Sequence, residues 1–464
     1  PTISATARCK SSTLHIHALL LPTMSHCVSC PGPRRTIPVI GDSKVYVGRG
    51  LLSQIPSELT PACGIKASRF IIVSDGNVWP LYGKRLLDAF KALPGFIVHD
   101  VASSAAAAAI NSSQPFDFKC QCCVDEPVDC SDTEKLVLTF QVPAGENSKC
   151  RDVKAAIEDF MLAHRCNRDT CMIAMGGGVV GDLVGYVAAT FMRGVPYVQV
   201  PTSSTAMIDS SVGGKTAINV PAGKNLIGAF HQPVSVYADM DLLVSLGKRE
   251  LVEGIAEAIK MGCIRLPKLY ELLEAEPEKI MNLDPVLIEE MMYDAIRGKA
   301  EVVAEDEKEA GLRSTLNWGH TIGHAIEALM SPAYMHGECV AIGCIAEADV
   351  AMRMGREDMM LDAAKVERIS KCFESYGLPI HMPRGLAIET LMKKMALDKK
   401  NRGSTIRCTI VTDLGVSLAQ PQPVSKELMA EAMERSMEQG NKRPDWTPLE
   451  GNHKFHVKGG QMAK

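Results

Sequence analysis

The sequence predicts an α/β protein in two parts, a first domain built on a mostly parallel sheet followed by an all-helical C-terminal domain. Three observations predict it. Short β-branched runs alternate with helical stretches between residues 44 and 246, the strand signal nearly ends after residue 247, and 464 residues are long for one core and short for three. The expected bounds are a tail at 1–43, the α/β domain at 44–246 with an inserted loop at about 111–135, the helical domain at 247–440 and a tail or linker at 441–464.

The first 41 residues hold no Asp or Glu, four Lys or Arg and ten Ser or Thr. That composition reads as a disordered tail, with a plastid transit peptide as the alternative and the cytoplasm as the default address. The expected strands then follow in order: KVYV, RFIIVSD, FIVHDV, KLVLTFQV, TCMIAM and PYVQVPTSS, with VKAAIEDFMLAH among the helices between them. Strands interleaved with helices form parallel sheets, which gather ligands at the carboxyl ends of their strands. Cys120, Cys122, Cys123 and Cys130 fall in the expected insertion, and their spacing fits neither a zinc ribbon nor a finger. Beyond residue 247, ELVEGIAEAIKMG, DPVLIEEMMYDAIRGKAEVV, ECVAIGCIAEADVAMRMG and DAAKVERISKCFESYG carry apolar residues at helical spacing, and TIRCTIVTDLG is the one late strand candidate.

Composition narrows the partners. A formal charge of -4 gives no reason to expect nucleic acid, and no apolar run approaches the roughly 18 to 20 residues of a membrane span. Sixteen cysteines without a regular framework point to a reducing compartment.

Three stretches carry chemistry. MGGGVVGD follows the apolar run TCMIAM, and its Gly176, Gly178 and Gly181 match the G-x-G-x-x-G pattern that closes backbone on a pyrophosphate in a Rossmann-like fold. A tight turn without ligand is the competing explanation, because no acidic residue ends the next strand; Asp75, closing RFIIVSD, is the candidate for a ribose hydroxyl. DSSVGGKTAINVPAGKN sets Lys215 and Lys224 among Gly, Ser and Asn, as a loop facing phosphate or carboxylate requires, although solvated surface lysines look the same. Arg193, Lys260, Lys299, Arg313, Lys399 and Lys400 can add positive charge.

The third stretch is LNWGHTIGHAIEA, where His320 and His324 share a helix face. Three explanations compete: histidines merely packed in a cleft, a local two-histidine zinc site, or one histidine joined by ligands from elsewhere. The local site lacks the Glu that metalloproteases place beside the first His, since Thr321 stands there. Glu327, seven residues on, lies about 10 Å along the axis and is expected to serve helix packing. His336 in MHGE and Glu257 in GIAEAIK are the attractive distant donors, making this a metal-binding domain.

With these segments assembled, the chain resembles 3-dehydroquinate synthase, and most of all the form that opens the fungal pentafunctional arom polypeptide. The matching stretches are PAGENSKCRDVKAAIEDFML, MGGGVVGDLVGYVAATFMRGVPYVQVPT, DSSVGGKTAINVPAGKNLIGAF, GIAEAIK, EDEKEAGLRSTLNWGHTIGHAIEA, MHGECVAIG and MALDKKN, spread from about residue 65 to 415. The resemblance implies Glu257, His320 and His336 as ligands of zinc, with cobalt as its substitute. It implies NAD held by Asp75, Asn77, Glu146, Lys149, Gly177, Gly178, Val179, Asp182, Thr202, Ser203 and Lys224. Substrate would meet Asp209, Lys215, Asn225, Lys260, Lys299, Arg313, Asn317, His324 and Lys399. Glu309 and His324 match the proton acceptors, and Lys260 joins them among the catalytic positions. Arg193 matches a residue that reaches the phosphate bound by the neighbouring subunit, which implies a homodimer. In PTSST a serine, Ser203, replaces the usual second Thr and keeps the hydroxyl.

The implied reaction converts a seven-carbon keto-sugar acid phosphate to 3-dehydroquinate and phosphate, a lyase step of the shikimate pathway. Transient NAD oxidation enables phosphate elimination, after which hydride returns and an aldol step closes the ring. A sedoheptulose 7-phosphate cyclase of similar fold, or an inactive scaffold lobe of a larger polypeptide, are the alternatives.

Overall fold

The computed structural model describes residues 34–101, 134–396 and 406–440. The cysteine-rich insertion, most of the N-terminal tail, the segment after 440 and the pair Lys399 and Lys400 lie outside the described residues.

An eight-stranded sheet runs in the order β1 (Arg35–Pro38), β2 (Lys44–Gly48), β10 (Ser235–Asp239), β7 (Tyr197–Pro201), β6 (Thr170–Gly176), β3 (Arg69–Asp75), β5 (Lys135–Val142) and β4 (Phe96–His99). Only the β1–β2 pair is antiparallel. The interior strands carry apolar residues on both faces, with polar ones such as Ser74, Thr139 and Gln199 the minority, because helices cover both faces. Side-chain alternation divides them: Phe70 and Ile72 of β3, with Cys171, Ile173 and Met175 of β6, enter one core, whereas Ile71, Val73, Met172 and Ala174 enter the other. Helices α2 (Arg151–Ala163) and α3 (Gly178–Thr190) cover the second face. The first face packs against α1 (Trp79–Lys91) and against the C-terminal helices, so one continuous core joins the two domains.

Connections from β3 run toward β4, and those from β6 run toward β7. The chain therefore reverses direction across the sheet between β3 and β6, which opens a crevice at their carboxyl ends.

The stretch DSSVGGKTAINVPAGKN is not the loop expected from its composition. It contributes β8 (Lys215–Val220) and the start of β9 (Gly223–Phe230), an antiparallel hairpin outside the main sheet. The outer strand is mostly exposed, and the part of it within this stretch, Gly223, Lys224 and Asn225, carries no apolar side chain to mark it as a strand.

The C-terminal part consists of α4 (Lys248–Ile264), α5 (Pro267–Ala275), α6 (Pro285–Glu305), α7 (His320–Met330), α8 (His336–Arg353), α9 (Ala363–Ser375), α10 (Ile388–Ala396) and α11 (Lys426–Gly440), with shorter turns. Pro285 opens α6 while Asp284 accepts from the N–H groups of Val286 and Leu287, an N-terminus legible in the sequence. This part is not wholly helical. TIRCTIVTDLG splits into β11 (Ile406–Cys408) and β12 (Val411–Asp413), which pair with β14 (Gln422–Val424) and β13 (Val416–Ser417) in two small ribbons. No helix among the described residues is long and apolar enough to cross a membrane.

Candidate active site

Strand β6 delivers Gly176 and Gly177 to the N-terminus of α3, whose first N–H groups have no side-chain cap. The glycines are dictated by packing: a Cβ at Gly178 would stand 2.9 Å from the Ser210 hydroxyl, and one at Gly181 would stand 2.8 Å from Gln199 Oε1. Backbone can thus approach an anion here. Asp75, ending β3 across the crevice, accepts from the N–H groups of Asn77 (2.8 Å) and Val78 (3.0 Å) through Oδ1. Burial raises its pKa despite those bonds. Thr202 donates its N–H to Gly176 O at 3.0 Å, and the Ser203 hydroxyl accepts from Ala206 N at 3.3 Å, so the end of β7 flanks the glycine turn. Val179 is half-buried in the first turn of α3. Lys149 is buried and pairs with Asp182.

Asn219 was not foreseen. Its amide donates to Glu146 Oε1 at 2.7 Å and its Oδ1 accepts from Asn225 N at 3.0 Å, tying the hairpin to the crevice. Asn225 itself has φ +56°, which few non-glycine residues adopt.

The second half of the cleft comes from helix faces. Glu257 and Lys260 lie one turn apart on α4, both buried, and Lys260 Nζ pairs with Glu257 Oε2. Glu257 Oε1 is left buried without a hydrogen-bond partner. It faces Nε2 of His336 at 3.4 Å and Nε2 of His320 at 3.7 Å. Three donors about 2.1 Å from a tetrahedral ion stand about 3.4 Å apart, so this triad fits a divalent metal. The other nitrogens are already committed: His320 Nδ1 lies 3.1 Å from the Trp318 carbonyl, and His336 Nδ1 lies 3.0 Å from Glu327 Oε2. Each bond directs the Nε2 lone pair inward.

His324, Glu327 and His336 form a second cluster with metal-ligand spacing. It is the weaker metal site, because Glu327 already binds Lys224 through Oε1 (2.9 Å) and His336 through Oε2. His324 is exposed, its ring centre 4.9 Å from that of His320 and 5.8 Å from that of His336. The assignment of Glu327 to helix packing is thereby corrected. Seven residues put it too far from an ion bound at His320, yet the next helix brings the far side of the His336 ring to it.

The cationic side chains close around this triad. Lys299 of α6 pairs with Asp209 at 2.6 Å, and Arg313, 2% exposed, donates to Gly213 O at 3.0 Å. Gly213 has φ +110°, and a Cβ there would collide with the guanidinium. Burial pushes the pKa of Lys299 down, although Asp209 opposes the shift. Lys215 reaches Glu309 Oε2 at 2.6 Å, and Asn317 donates to Glu309 Oε1 at 2.7 Å. Asp306, also not foreseen, shapes the loop behind them by accepting from the N–H groups of Ala310, Gly311 and Arg313.

Arg193 is not brought to this cluster. It is exposed in the turn just after α3, whose 13 residues span about 20 Å from the glycine turn.

Family models describe the same chain in two consecutive pieces, 3-dehydroquinate synthase N-terminal over residues 139–253 and 3-dehydroquinate synthase C-terminal over residues 254–401. The pentafunctional AROM polypeptide of Candida tropicalis is 41% identical over 403 residues, covering 82% of this chain and 23% of its own length. That of Schizosaccharomyces pombe is 38% identical over 404 residues, with the same coverage of 82% and 23%. The chain therefore spans about a quarter of the length of the curated relatives it matches. Among solved structures, 2-deoxy-scyllo-inosose synthase complexed with carbaglucose-6-phosphate, NAD+ and Co2+ superposes with a TM-score of 0.71 at 22% identity, covering 87% of this chain and 100% of that one. The 2-epi-5-epi-valiolone synthase of Streptomyces hygroscopicus, with NAD+ and Zn2+ bound, gives 0.67 at 23% identity over 85% and 96%. At those identities the likeness is one of fold. The family models and the arom relatives carry the assignment further: this chain belongs to the 3-dehydroquinate synthase family.

Proposed function

We propose that the chain catalyses the 3-dehydroquinate synthase reaction, converting 3-deoxy-D-arabino-heptulosonate 7-phosphate to 3-dehydroquinate and phosphate with NAD and a divalent ion, zinc or cobalt. One observation carries the proposal. A buried carboxylate oxygen without a hydrogen-bond partner faces two imidazoles, and buried polar atoms are rarely left so unless something binds them.

When bound, NAD would supply a reversible hydride acceptor and the ion Lewis acidity. The chain's own groups would do the rest. Glu257, His320 and His336 would hold the ion, with Lys260 turning the carboxylate so that Oε1 points inward. The turn at Gly177, Gly178 and Val179 offers N–H groups to a pyrophosphate, while Asp75, Asn77, Glu146, Lys149, Asp182, Thr202, Ser203 and Lys224 border the same crevice. Arg313, Lys299, Lys215, Asn225 and Asn317, joined by Lys399, would bind the substrate's carboxylate and phosphate, and Asp209 would orient Lys299. His324, one turn from His320, would move a proton near the leaving phosphate. Glu309, kept ionised beside Lys215, would accept another.

The active form in this proposal is a homodimer in which Arg193 serves the neighbouring site; its exposure and its distance from the glycine turn support that role. Nine cysteines among the described residues are free, which favours a reducing compartment, in our reading the cytoplasm.

The test incubates the purified chain with substrate, NAD and zinc and follows phosphate release. Release that a chelator abolishes is the expected result, with no net NADH. Net NADH would indicate a polyol dehydrogenase, preferential turnover of sedoheptulose 7-phosphate would indicate the sister cyclase, and no turnover of either would leave an inactive lobe.

A further inference from the structure

Glu327 is the cleft carboxylate for which the reaction above has no use. Its side chain is 18% exposed, and its two oxygens serve different domains. Oε2 lies 3.0 Å from Nδ1 of His336, at the start of α8. Oε1 accepts from Lys224 Nζ at 2.9 Å, a lysine on the second residue of β9 in the hairpin. The two contacts form a continuous path from the hairpin, through Lys224 and Glu327, to the ring whose Nε2 faces Glu257.

The physics of each contact differs. A carboxylate accepting from the outer N–H of an imidazole fixes its tautomer and raises the basicity of the inner nitrogen. A lysine on that same carboxylate withdraws charge from it and weakens it as an acceptor. Lys224 is half-exposed, so its hold on Glu327 is modest and it can turn to another anion.

We propose that Glu327 is a positioning residue that orients His336 and, through Lys224, couples metal affinity to cofactor binding. The inference rests on the assignment above of the ion to His336 and of Lys224 to NAD. Cofactor that draws Lys224 away returns full charge to Glu327, and the ion is then held more tightly. Linkage requires the reciprocal effect, so the ion must tighten NAD by the same factor.

The experiment measures zinc affinity by competition with a chromogenic chelator, with and without NAD, in the wild type, Glu327→Gln and Lys224→Met. Glu327→Gln is expected to weaken zinc about 10- to 100-fold and to shift the absorption bands of the cobalt-substituted protein. In the wild type NAD is expected to tighten zinc about two- to fivefold, the worth of a half-exposed ion pair. Lys224→Met is expected to reproduce that tightening without NAD and to be indifferent to NAD. Thermal unfolding shows whether each variant is folded, and if Glu327→Gln is not, Lys224→Met carries the test. Equal zinc affinity in the wild type and Glu327→Gln overturns the positioning role. An NAD effect that persists in Lys224→Met overturns the coupling. A wild type that binds no zinc, or a His320→Ala variant that binds it normally, overturns the parent proposal instead.

Discussion

At Glu309 the backbone holds φ +59°, a conformation that costs a non-glycine residue energy and tends to gather at functional sites. Asp306 secures it by collecting three N–H groups of the following loop. Burial pushes the Glu309 carboxyl up, but the Lys215 charge and the hydrogen bonds from Lys215 and Asn317 hold it below its ordinary 4.5. A carboxyl so lowered is ionised at neutral pH, and its contribution to stability is present above about 4.5 and lost as pH falls through the folded value. Lys215→Met leaves burial less opposed, so the acid limb of the pH profile of kcat should move to higher pH. An unmoved limb would remove Glu309 from the proton acceptors. The two histidines separate by a different measurement. His320→Ala should abolish zinc binding at micromolar metal, whereas His324→Ala should bind zinc normally and lose turnover about 100-fold or more, as the loss of a proton-transfer group does. Equal loss of zinc in both would restore the local two-histidine site.

Helix α7 carries both histidines, and its beginning is set by another helix. Gly319, its N-cap, has φ +79° and no side chain to satisfy the first N–H groups. Glu347, fully buried on α8, accepts from Gly319 N at 2.8 Å and Ile322 N at 3.1 Å in its place. The carboxylate also complements the positive end of the helix. Glu347→Ala should therefore lower unfolding stability by about 3 kcal/mol in denaturant titrations and weaken zinc through misplacement of His320. This cap shows why part of the site was hidden. Buried strands announce themselves as β-branched runs and GGG announces its turn, because each depends on residues adjacent in sequence. Glu347 and Gly319 are 28 residues apart, and only the close crossing of α7 and α8 joins them. Glu327 was misread for the same reason: distance along one helix was judged without the neighbouring helix. The β8–β9 hairpin escaped because Lys, Asn and Gly on an exposed strand carry no periodic apolar signal. Glu257, His320 and His336, by contrast, sit in three motifs quoted from the sequence, and their ligand atoms lie within 4.8 Å of one another.

Across the whole molecule, four cations of the cleft reach groups of the opposite domain: Lys299 pairs with Asp209, Arg313 with Gly213, Lys215 with Glu309 and Lys224 with Glu327. The cleft is thus assembled only when the two domains share their core. Arg193 stands outside that assembly, exposed at the far end of the helix that begins at the glycine turn. Its backbone, at φ +68° after Met192 at +50°, is held in a conformation unusual for a side-chain-bearing residue, and it lies apart from the described residues of the chain's own cleft. If it acts on the neighbouring subunit's substrate, an Arg193→Ala subunit has an intact cleft and fails only for want of its partner's arginine. A Lys260→Ala subunit has a defective cleft but supplies that arginine. Each homodimer alone should be nearly inactive. Dissociated, mixed in equal amounts and reassociated, they should yield heterodimers in half the population, each with one complete site, and recover about a quarter of wild-type phosphate release. Had Arg193 served its own cleft, both sites of every heterodimer would remain defective and mixing would recover nothing, so the assay separates the two arrangements without a structure of the dimer.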